Sequence, residues 1–131
     1  GELPQATMDY RLSLFGVFCE PQAAMVGAIE AQLRRDGVPY ATASYPFDDH
    51  GKSMVMGETD GFVKLIAHRD TGEILGASVV GPHATEIIHE VVVAMQFHCT
   101  VKQFMVIPHY HPTLSEIWTY PAEELSDELG L

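Results

Sequence analysis

The segment at residues 108–116 contains the side chains of this sequence that are best suited to acid–base chemistry. It reads Pro-His-Tyr-His-Pro-Thr-Leu-Ser-Glu and carries His109, His111 and Glu116. The two histidines stand at i and i+2, so in an extended stretch their side chains point to the same face. A carboxylate that reaches a ring nitrogen fixes the tautomer of the imidazole and favours its charged form. The spacing of His111 and Glu116 is therefore that of a histidine oriented for proton transfer.

Structural interpretations of the same residues compete with the catalytic one. Thr113 and Glu116 have the spacing of a helix capping box, and Pro112 stands beside the expected helix start. On local pattern alone, capping is the better supported role for Glu116, and His111 taken alone is more often a structural histidine. The two roles of Glu116 are compatible, because its two carboxylate oxygens can accept hydrogen bonds from different donors.

A metal site is a further interpretation, because His-x-His spacing occurs among zinc ligands. Five other histidines are present, at positions His50, His68, His83, His89 and His98. Zinc needs three or four converging ligands, and the sequence does not require a third ligand to meet His109 and His111. We expect His68, on a strand face, and His89, on a helix, to be solvated, and we assign no metal ligand.

The cysteines and glycines exclude other common chemistries. Cys19 and Cys99 are far apart and belong to no close-spaced pair. We expect two buried free thiols, which indicates a reducing compartment such as the cytoplasm. The sequence contains no G-x-G-x-x-G motif and no G-K-[ST] phosphate loop. The chain by itself is therefore not expected to bind a nucleotide.

Short apolar segments predict the β-strands that would position these side chains. Residues 12–19 predict a buried strand, and residues 38–46 predict a second one that ends at Pro46. Residues 48–60 are polar and contain glycine, so they predict a loop with at most one short strand at residues 53–56.

The clearest local signal is a β-hairpin. Residues 62–68 alternate in polarity and place Val63, Leu65 and Ala67 on one face. An Asp-Thr-Gly turn then leads to a return strand over residues 73–80.

Two helices are predicted around this hairpin. Ala28, Ile29 and Leu33 have helical spacing, and Gly37 predicts the end of that helix. Thr85 is the expected N-cap of a longer helix. Its apolar stripe is Ile87, Ile88, Val91, Ala94 and Met95.

The C-terminal part predicts shorter helices. One is expected after Thr100, through about Phe104. A last helix should begin near Pro112, carry Ile117 and Trp118, and end early at Pro121.

Together these elements predict an α+β domain with an antiparallel sheet of about four to five strands and helices packed on one side. A chain of 131 residues is long enough for one domain with its own core. We expect a flexible lead-in at residues 1–11, the domain at residues 12–120, and an acidic tail at residues 121–131 with little to bury.

The charge balance excludes two classes of partner. The formal net charge is -11, and such a surface repels phosphate backbones and anionic lipids. We therefore expect no binding to nucleic acid and none to a membrane. The sequence also contains no apolar run long enough for a membrane span and no signal-peptide pattern at its start.

Four segments of the chain resemble a known family. Residues 109–116 resemble the C-terminal signature of the flavin-dependent pyridine nucleotide–disulfide oxidoreductases, with dihydrolipoamide dehydrogenase and mercuric-reductase-like proteins as the nearest match. Residues 18–27, 56–76 and 81–90 resemble other segments of that family, in the same order. The resemblance covers about residues 12–120. Tyr110 and residues 117–121 depart from the family pattern and leave the disulfide substrate open.

The resemblance implies that this region is the interface, or dimerisation, domain of such an enzyme. It implies that His111 acts as base and acid for a cysteine pair of the partner subunit and that Glu116 orients it. It further implies that the main chain at His111 and Pro112 lies near the partner subunit's flavin and that the bond between them is cis. FAD and NAD(P) would be bound by domains outside this chain, so we expect no cofactor on the chain itself.

Three classes of function are compatible with these residues. The leading one is a dimerisation domain that is inactive alone, with itself and the FAD- and NAD-binding domains of the same protein as partners. Its candidate interface surfaces are the helix at residues 85–98 and the aromatic segment around Trp118. The alternatives are a stand-alone histidine-rich metal-binding or hydrolytic domain and a small adaptor without chemistry.

Overall fold

A computed structural model describes residues 7–131 of the chain. The described residues form five β-strands, β1 (Leu14–Val17), β2 (Gln22–Gly27), β3 (Tyr40–Pro46), β4 (Phe62–His68) and β5 (Ile74–Gly81). They form five α-helices, α1 (Glu30–Arg35), α2 (Gly51–Met56), α3 (Ala84–Gln96), α4 (Val101–Met105) and α5 (Thr119–Leu129). Short 3-10 turns lie at Tyr10–Leu12, Phe47–Asp49 and Ser115–Trp118. The expected flexible lead-in lies partly outside the described residues, and its end forms the first of these turns.

The strands form one antiparallel sheet in the order β1-β2-β5-β4-β3. The hairpin of β4 and β5 is its centre, and β1 and β3 are its edges. The predicted α+β class with an antiparallel sheet is thus confirmed. Helices α3 and α5 cover one face, with α3 on β2 and β5 and α5 on β3 and β4.

The core lies between this face of the sheet and the two long helices. The predicted alternation of β4 is confirmed, and Val63, Leu65 and Ala67 form its fully buried face. The predicted apolar stripe of α3 is confirmed as well, since all five of its members are buried. The smaller helix α1 lies toward the opposite face, where Glu30 forms an ion pair with Lys64.

The beginning of the sheet differs from the prediction. A strand does form at Leu14–Val17, but all of its residues are exposed, because β1 is an edge strand that pairs only with β2. Strand β2, which ends at Gly27, was not predicted. The helix predicted from the spacing at Ala28 starts only at Glu30. The predicted helix end is confirmed, because Gly37 has a φ of +69°.

Two other local predictions were wrong, and a third was right. Residues 51–56 form helix α2 instead of a loop or strand, and α2 ends at Gly57 with a left-handed φ of +71°. Helix α3 begins at Ala84, so Thr85 is not its N-cap; its hydroxyl donates to Gln22 instead. The predicted helix after Thr100 is confirmed and begins with a capping box between Thr100 and Gln103.

The C-terminal helix also continues further than expected. Pro121 lies in the first turn of α5 and does not end it, because a proline there interrupts no helical hydrogen bond. The expected boundary between residues 120 and 121 falls inside this helix. The expectation that residues 121–131 have little to bury was wrong, since Pro121, Ala122, Leu125 and Ser126 are buried. Within residues 7–131, no helix has the length and apolar character needed to cross a lipid bilayer.

Candidate functional site

His111 lies in the loop between α4 and the 3-10 turn at Ser115–Trp118. Its side chain is 78% exposed, and its Nδ1 lies 2.7 Å from Oε1 of Glu116. Because a carboxylate oxygen can only accept, Nδ1 carries the proton and donates it to Glu116. Within residues 7–131 no hydrogen bond engages Nε2, so that nitrogen faces solvent and is available for proton transfer. The two residues that the spacing singled out are therefore in contact.

Glu116 is held in place by the buried residues that follow it. Its side chain is largely buried, whereas Ile117 and Trp118 are completely buried. The indole Nε1 of Trp118 donates to the main-chain oxygen of Ile87 at 3.0 Å, which joins the turn to α3. The carboxylate that orients His111 is thus fixed to the core, although His111 itself is on the surface.

The capping role of Glu116 is present together with the contact to His111. The backbone N–H of Thr113 donates to Oε2 of Glu116 at 2.8 Å, and the N–H of Glu116 faces the hydroxyl oxygen of Thr113 at 3.3 Å. Oε1 and Oε2 therefore serve different donors, as predicted. The two interpretations of Glu116 do not exclude each other.

The charge of Glu116 depends on these contacts. Burial alone raises the pKa of its carboxyl group, but the hydrogen bond from His111 and that from the Thr113 N–H act in the opposite direction. The electrostatic effects of His111 and His50 act in the same direction as these bonds, and the net effect is a pKa below the ordinary value. Glu116 is therefore an anion at neutral pH and can stabilise a positive charge on His111.

His109 has different partners from His111. Its Nδ1 donates to the main-chain oxygen of Ile107 at 2.7 Å, and its Nε2 forms a short contact with Oε1 of Glu90 on α3. The i, i+2 spacing thus does not bring the two histidines to one site. No three of the histidine, cysteine, aspartate or glutamate side chains within residues 7–131 come together as a metal site.

His50 is a residue near the site that the sequence did not single out. It is completely buried, its Nδ1 lies 3.0 Å from the Ser53 hydroxyl, and its Nε2 has no hydrogen-bond partner within residues 7–131. Its ring packs edge-on against Tyr120, at a centroid distance of 6.0 Å. Burial lowers the pKa of His50, the charge of Glu116 acts against this, and His111 acts with it. His50 is therefore neutral behind the carboxylate.

The remaining histidines and the cysteines lie elsewhere. His89 is exposed, which agrees with the expectation of a solvated side chain, whereas His68 is half-buried and accepts a hydrogen bond from the Asp70 N–H. Both cysteines are free thiols, but Cys19 is exposed and Cys99 only half-buried, so the expected burial was wrong for Cys19. Cys19 follows the exposed edge strand β1, and the core does not reach it. The bond between His111 and Pro112 is cis, as the resemblance implied.

A comparison with protein families matches residues 15–122 to the dimerisation domain of the pyridine nucleotide-disulphide oxidoreductases. The match includes His111 and Glu116 and the five-stranded sheet, apart from Leu14. It extends over most of the chain.

Among curated proteins, the chain is similar to dihydrolipoyl dehydrogenases. It is 36% identical to that of Chlamydia muridarum over 115 residues, which are 88% of this chain and 25% of the relative. It is 35% identical to that of Geobacillus stearothermophilus over 118 residues, which are 90% of this chain and 25% of the relative. The chain thus spans about a quarter of the length of these relatives.

Solved structures show the same fold. LpdA from Mycobacterium tuberculosis superposes with a TM-score of 0.85 and 29% identity, covering 92% of this chain and 26% of that one. The HOCl-induced flavoprotein disulfide reductase RclA from Escherichia coli gives a TM-score of 0.81 and 26% identity, covering 86% and 26%.

Proposed function

The chain belongs to the dimerisation-domain family of the pyridine nucleotide-disulphide oxidoreductases, and we propose on this basis that it supplies an acid–base pair, His111 and Glu116, to the active site of a partner subunit. The family match supports a role of this fold in dimerisation. The geometry of His111 supports the role of the pair, because its Nε2 faces out of a chain that has no close-spaced cysteine pair of its own.

The pair is suited to thiol–disulfide exchange. A thiol must lose its proton before it attacks a disulfide, and the thiolate that leaves must gain one. We infer that Nε2 of His111 takes the first proton and returns it to the leaving sulfur. Glu116 keeps Nδ1 protonated and stabilises the charged ring, so the same nitrogen can serve both steps.

The parent enzyme would contain FAD and NAD(P), bound by domains outside this chain. RclA is described as a flavoprotein disulfide reductase, and that description is the support for a flavin here. A bound flavin supplies electron transfer to or from the cysteine pair. His111 and Pro112 are both exposed, so their main chain is free to approach the partner subunit's flavin.

The proposed partners are a second copy of the chain and the cofactor-binding domains of the same protein. The name dihydrolipoyl dehydrogenase, shared by the curated relatives, supports a dihydrolipoyl-type dithiol as the substrate class. Two free thiols in the described residues support a reducing compartment, and we propose the cytoplasm.

The role of His111 is tested by His111→Gln in the intact protein that contains this chain. We expect thiol–disulfide turnover to fall by about 100-fold or more, because a general base contributes that much. Flavin content and dimer formation should stay at the wild-type level. The control is His68→Gln, since His68 lies at the end of β4, outside both α3 and the loop that carries His111. A His111→Gln enzyme with the turnover of the control would refute the proposal.

The inactivity of the chain alone is tested with the purified chain. We expect it neither to retain FAD after gel filtration nor to reduce a disulfide with NADH or NADPH. Flavin-dependent turnover by the chain alone would contradict the proposal that it supplies only half of a site.

A further inference from the structure

The loop that carries His111 is positioned by side chains. Within residues 7–131, no backbone-to-backbone hydrogen bond involves residues 108–113; the nearest ones join Ile107 to Phe104 and Ile117 to Leu114. The contacts that do hold the loop come from Thr113, Glu116 and His109. The place of His111 in the molecule thus depends on a few side-chain contacts.

His109 has three of these contacts and is the most enclosed histidine of the loop. Its side chain is only 11% exposed, whereas that of His111 is almost fully accessible. Nδ1 donates to the oxygen of Ile107, Nε2 contacts Glu90, and the ring packs on Phe104 at a centroid distance of 5.7 Å. Both polar atoms and the apolar face of the ring are therefore engaged.

The contact between His109 and Glu90 joins the imidazole ring to a partly buried carboxyl group. Nδ1 carries a proton, because the oxygen of Ile107 can only accept, and Nε2 lies within hydrogen-bond distance of Oε1 of Glu90. Burial raises the pKa of Glu90, and the hydrogen bond from His109 acts against this without reversing it.

Glu90 connects the loop to the solvent-exposed side of α3. Val93 and Phe97 follow it at i+3 and i+7, so the three side chains share one side of the helix, and both apolar ones are exposed. This is the helix that we expect to face a partner subunit. A loop held at Glu90 is consequently held at a defined position relative to that surface.

We propose that His109 is a positioning residue, which holds the loop on Glu90 so that His111 stands at a fixed place relative to α3 and the partner subunit. This inference rests on the proposed function of His111. His109 does not touch the reacting atoms; it acts through the backbone of residues 109–111.

The proposal is tested first on the chain by amide hydrogen exchange of Glu90→Ala and His109→Ala. We expect exchange of the Thr113 amide, which donates to Glu116, to become about 10-fold faster in both variants, while the amides of β4 and β5 keep their protection. His109→Gln should keep most of the protection, because its Nε2 can still donate to Glu90. Glu73→Ala is the matched control, since it removes the exposed contact with His98. Unchanged exchange in the first two variants would overturn the proposal.

The second test measures turnover in the intact protein. We expect Glu90→Ala and His109→Ala to lower kcat by about 10- to 100-fold, because a small displacement of a catalytic group has an effect of this size. KM, flavin content and the melting temperature should change little, and His109→Gln should recover most of kcat. A merely structural contact would lower the melting temperature and leave kcat unchanged. If His111→Gln had no effect on turnover, the proposed function would fail, while hydrogen exchange would still decide whether His109 holds the loop.

Discussion

At the scale of single residues, Glu116 combines the structural and the chemical role in one side chain. Both of its partners, Thr113 and His111, lie within five positions of it in the sequence. Such contacts follow from local spacing, and for this reason they could be predicted before the fold was known. The partner of His109 is Glu90, 19 positions away, and that contact depends on how α3 packs. No local pattern could indicate it.

Glu116→Gln should destabilise the chain in a pH-dependent manner. At pH 7 we expect a loss of about 1–3 kcal/mol, because a hydrogen-bonded carboxylate is replaced by a neutral amide. The pKa of Glu116 is lowered in the folded state, so its contribution is fully present above the ordinary pKa of 4.5 and is lost as the pH falls through the folded value. The difference between variant and wild type should therefore shrink in acid. Urea unfolding at a series of pH values measures it, with the exposed Glu124→Gln as control.

The buried His50 changes stability with pH in the same direction as Glu116 but for a different reason, because it must stay neutral in the folded state. Burial lowers its pKa below 6.5, so the unfolded chain binds a proton that the folded chain does not. Its contribution is present above pH 6.5 and is lost as the pH falls toward the folded pKa. We expect the slope of unfolding free energy against pH to flatten in His50→Gln by up to about 1.4 kcal/mol per pH unit. Urea unfolding of wild type and His50→Gln at a series of pH values measures the two slopes, and equal slopes would contradict this expectation.

At the scale of elements, the alternating and helical patterns predicted which side chains form the core. The β4–β5 hairpin and the stripe of α3 have regular spacing along their full length, and both form as expected. The missed strand β2 has an irregular pattern of small and apolar residues, and its neighbour β1 is apolar yet exposed. Their burial depends on their place in the sheet order, which local spacing does not encode.

Helix α5 shows how tertiary contacts outweigh a helix-stop signal. Pro121 is compatible with a first turn, and the side chains of Ala122, Leu125 and Ser126 then lie on one buried side. The acidic residues that suggested a solvated tail occupy the other side of the same helix. A segment with four acids and no bases can therefore still complete the core.

Leu125→Ala should accordingly be strongly destabilising. Leu125 is completely buried, so we expect a loss of about 2–5 kcal/mol in the free energy of unfolding. Val55→Ala on α2 is a control, because Val55 is 79% exposed and its truncation should cost no more than about 0.5 kcal/mol. Chemical denaturation of both variants measures the difference. Equal stabilities would mean that α5 does not contribute to the core.

At the scale of the whole molecule, the two expected interface surfaces differ in how far their apolar side chains are exposed to solvent. Trp118 is completely buried within its own chain, so Trp118 itself does not contribute to an interface. Helix α3 presents Val93 and Phe97 to solvent, and Val106, Ile107 and Tyr110 on the following segment are also exposed. Exposed apolar residues of this kind mark a protein–protein interface. The proposed dimer surface is therefore α3 with the loop that carries His111.

Phe97→Glu should weaken self-association of the chain through this surface. Phe97 is 78% exposed, and a large aromatic side chain at the centre of an interface contributes about 2 kcal/mol or more, which is a loss of about 30-fold in affinity. Val55→Glu adds the same charge on α2 and serves as the matched control. Sedimentation equilibrium measures both dissociation constants. A wild-type constant for Phe97→Glu would place the interface elsewhere.

The net charge of -11 gives this association a defined dependence on salt. Two copies of the chain carry like charge and repel each other, whereas the apolar contact through α3 is insensitive to ionic strength. Raising the salt concentration from about 0.02 M to 0.3 M shortens the screening length from roughly 20 Å to 6 Å. We therefore expect the dissociation constant of the wild-type chain to fall as salt is added. The opposite trend, weaker association at high salt, would mean that ion pairs, and not the exposed apolar residues Val93 and Phe97, hold the dimer together.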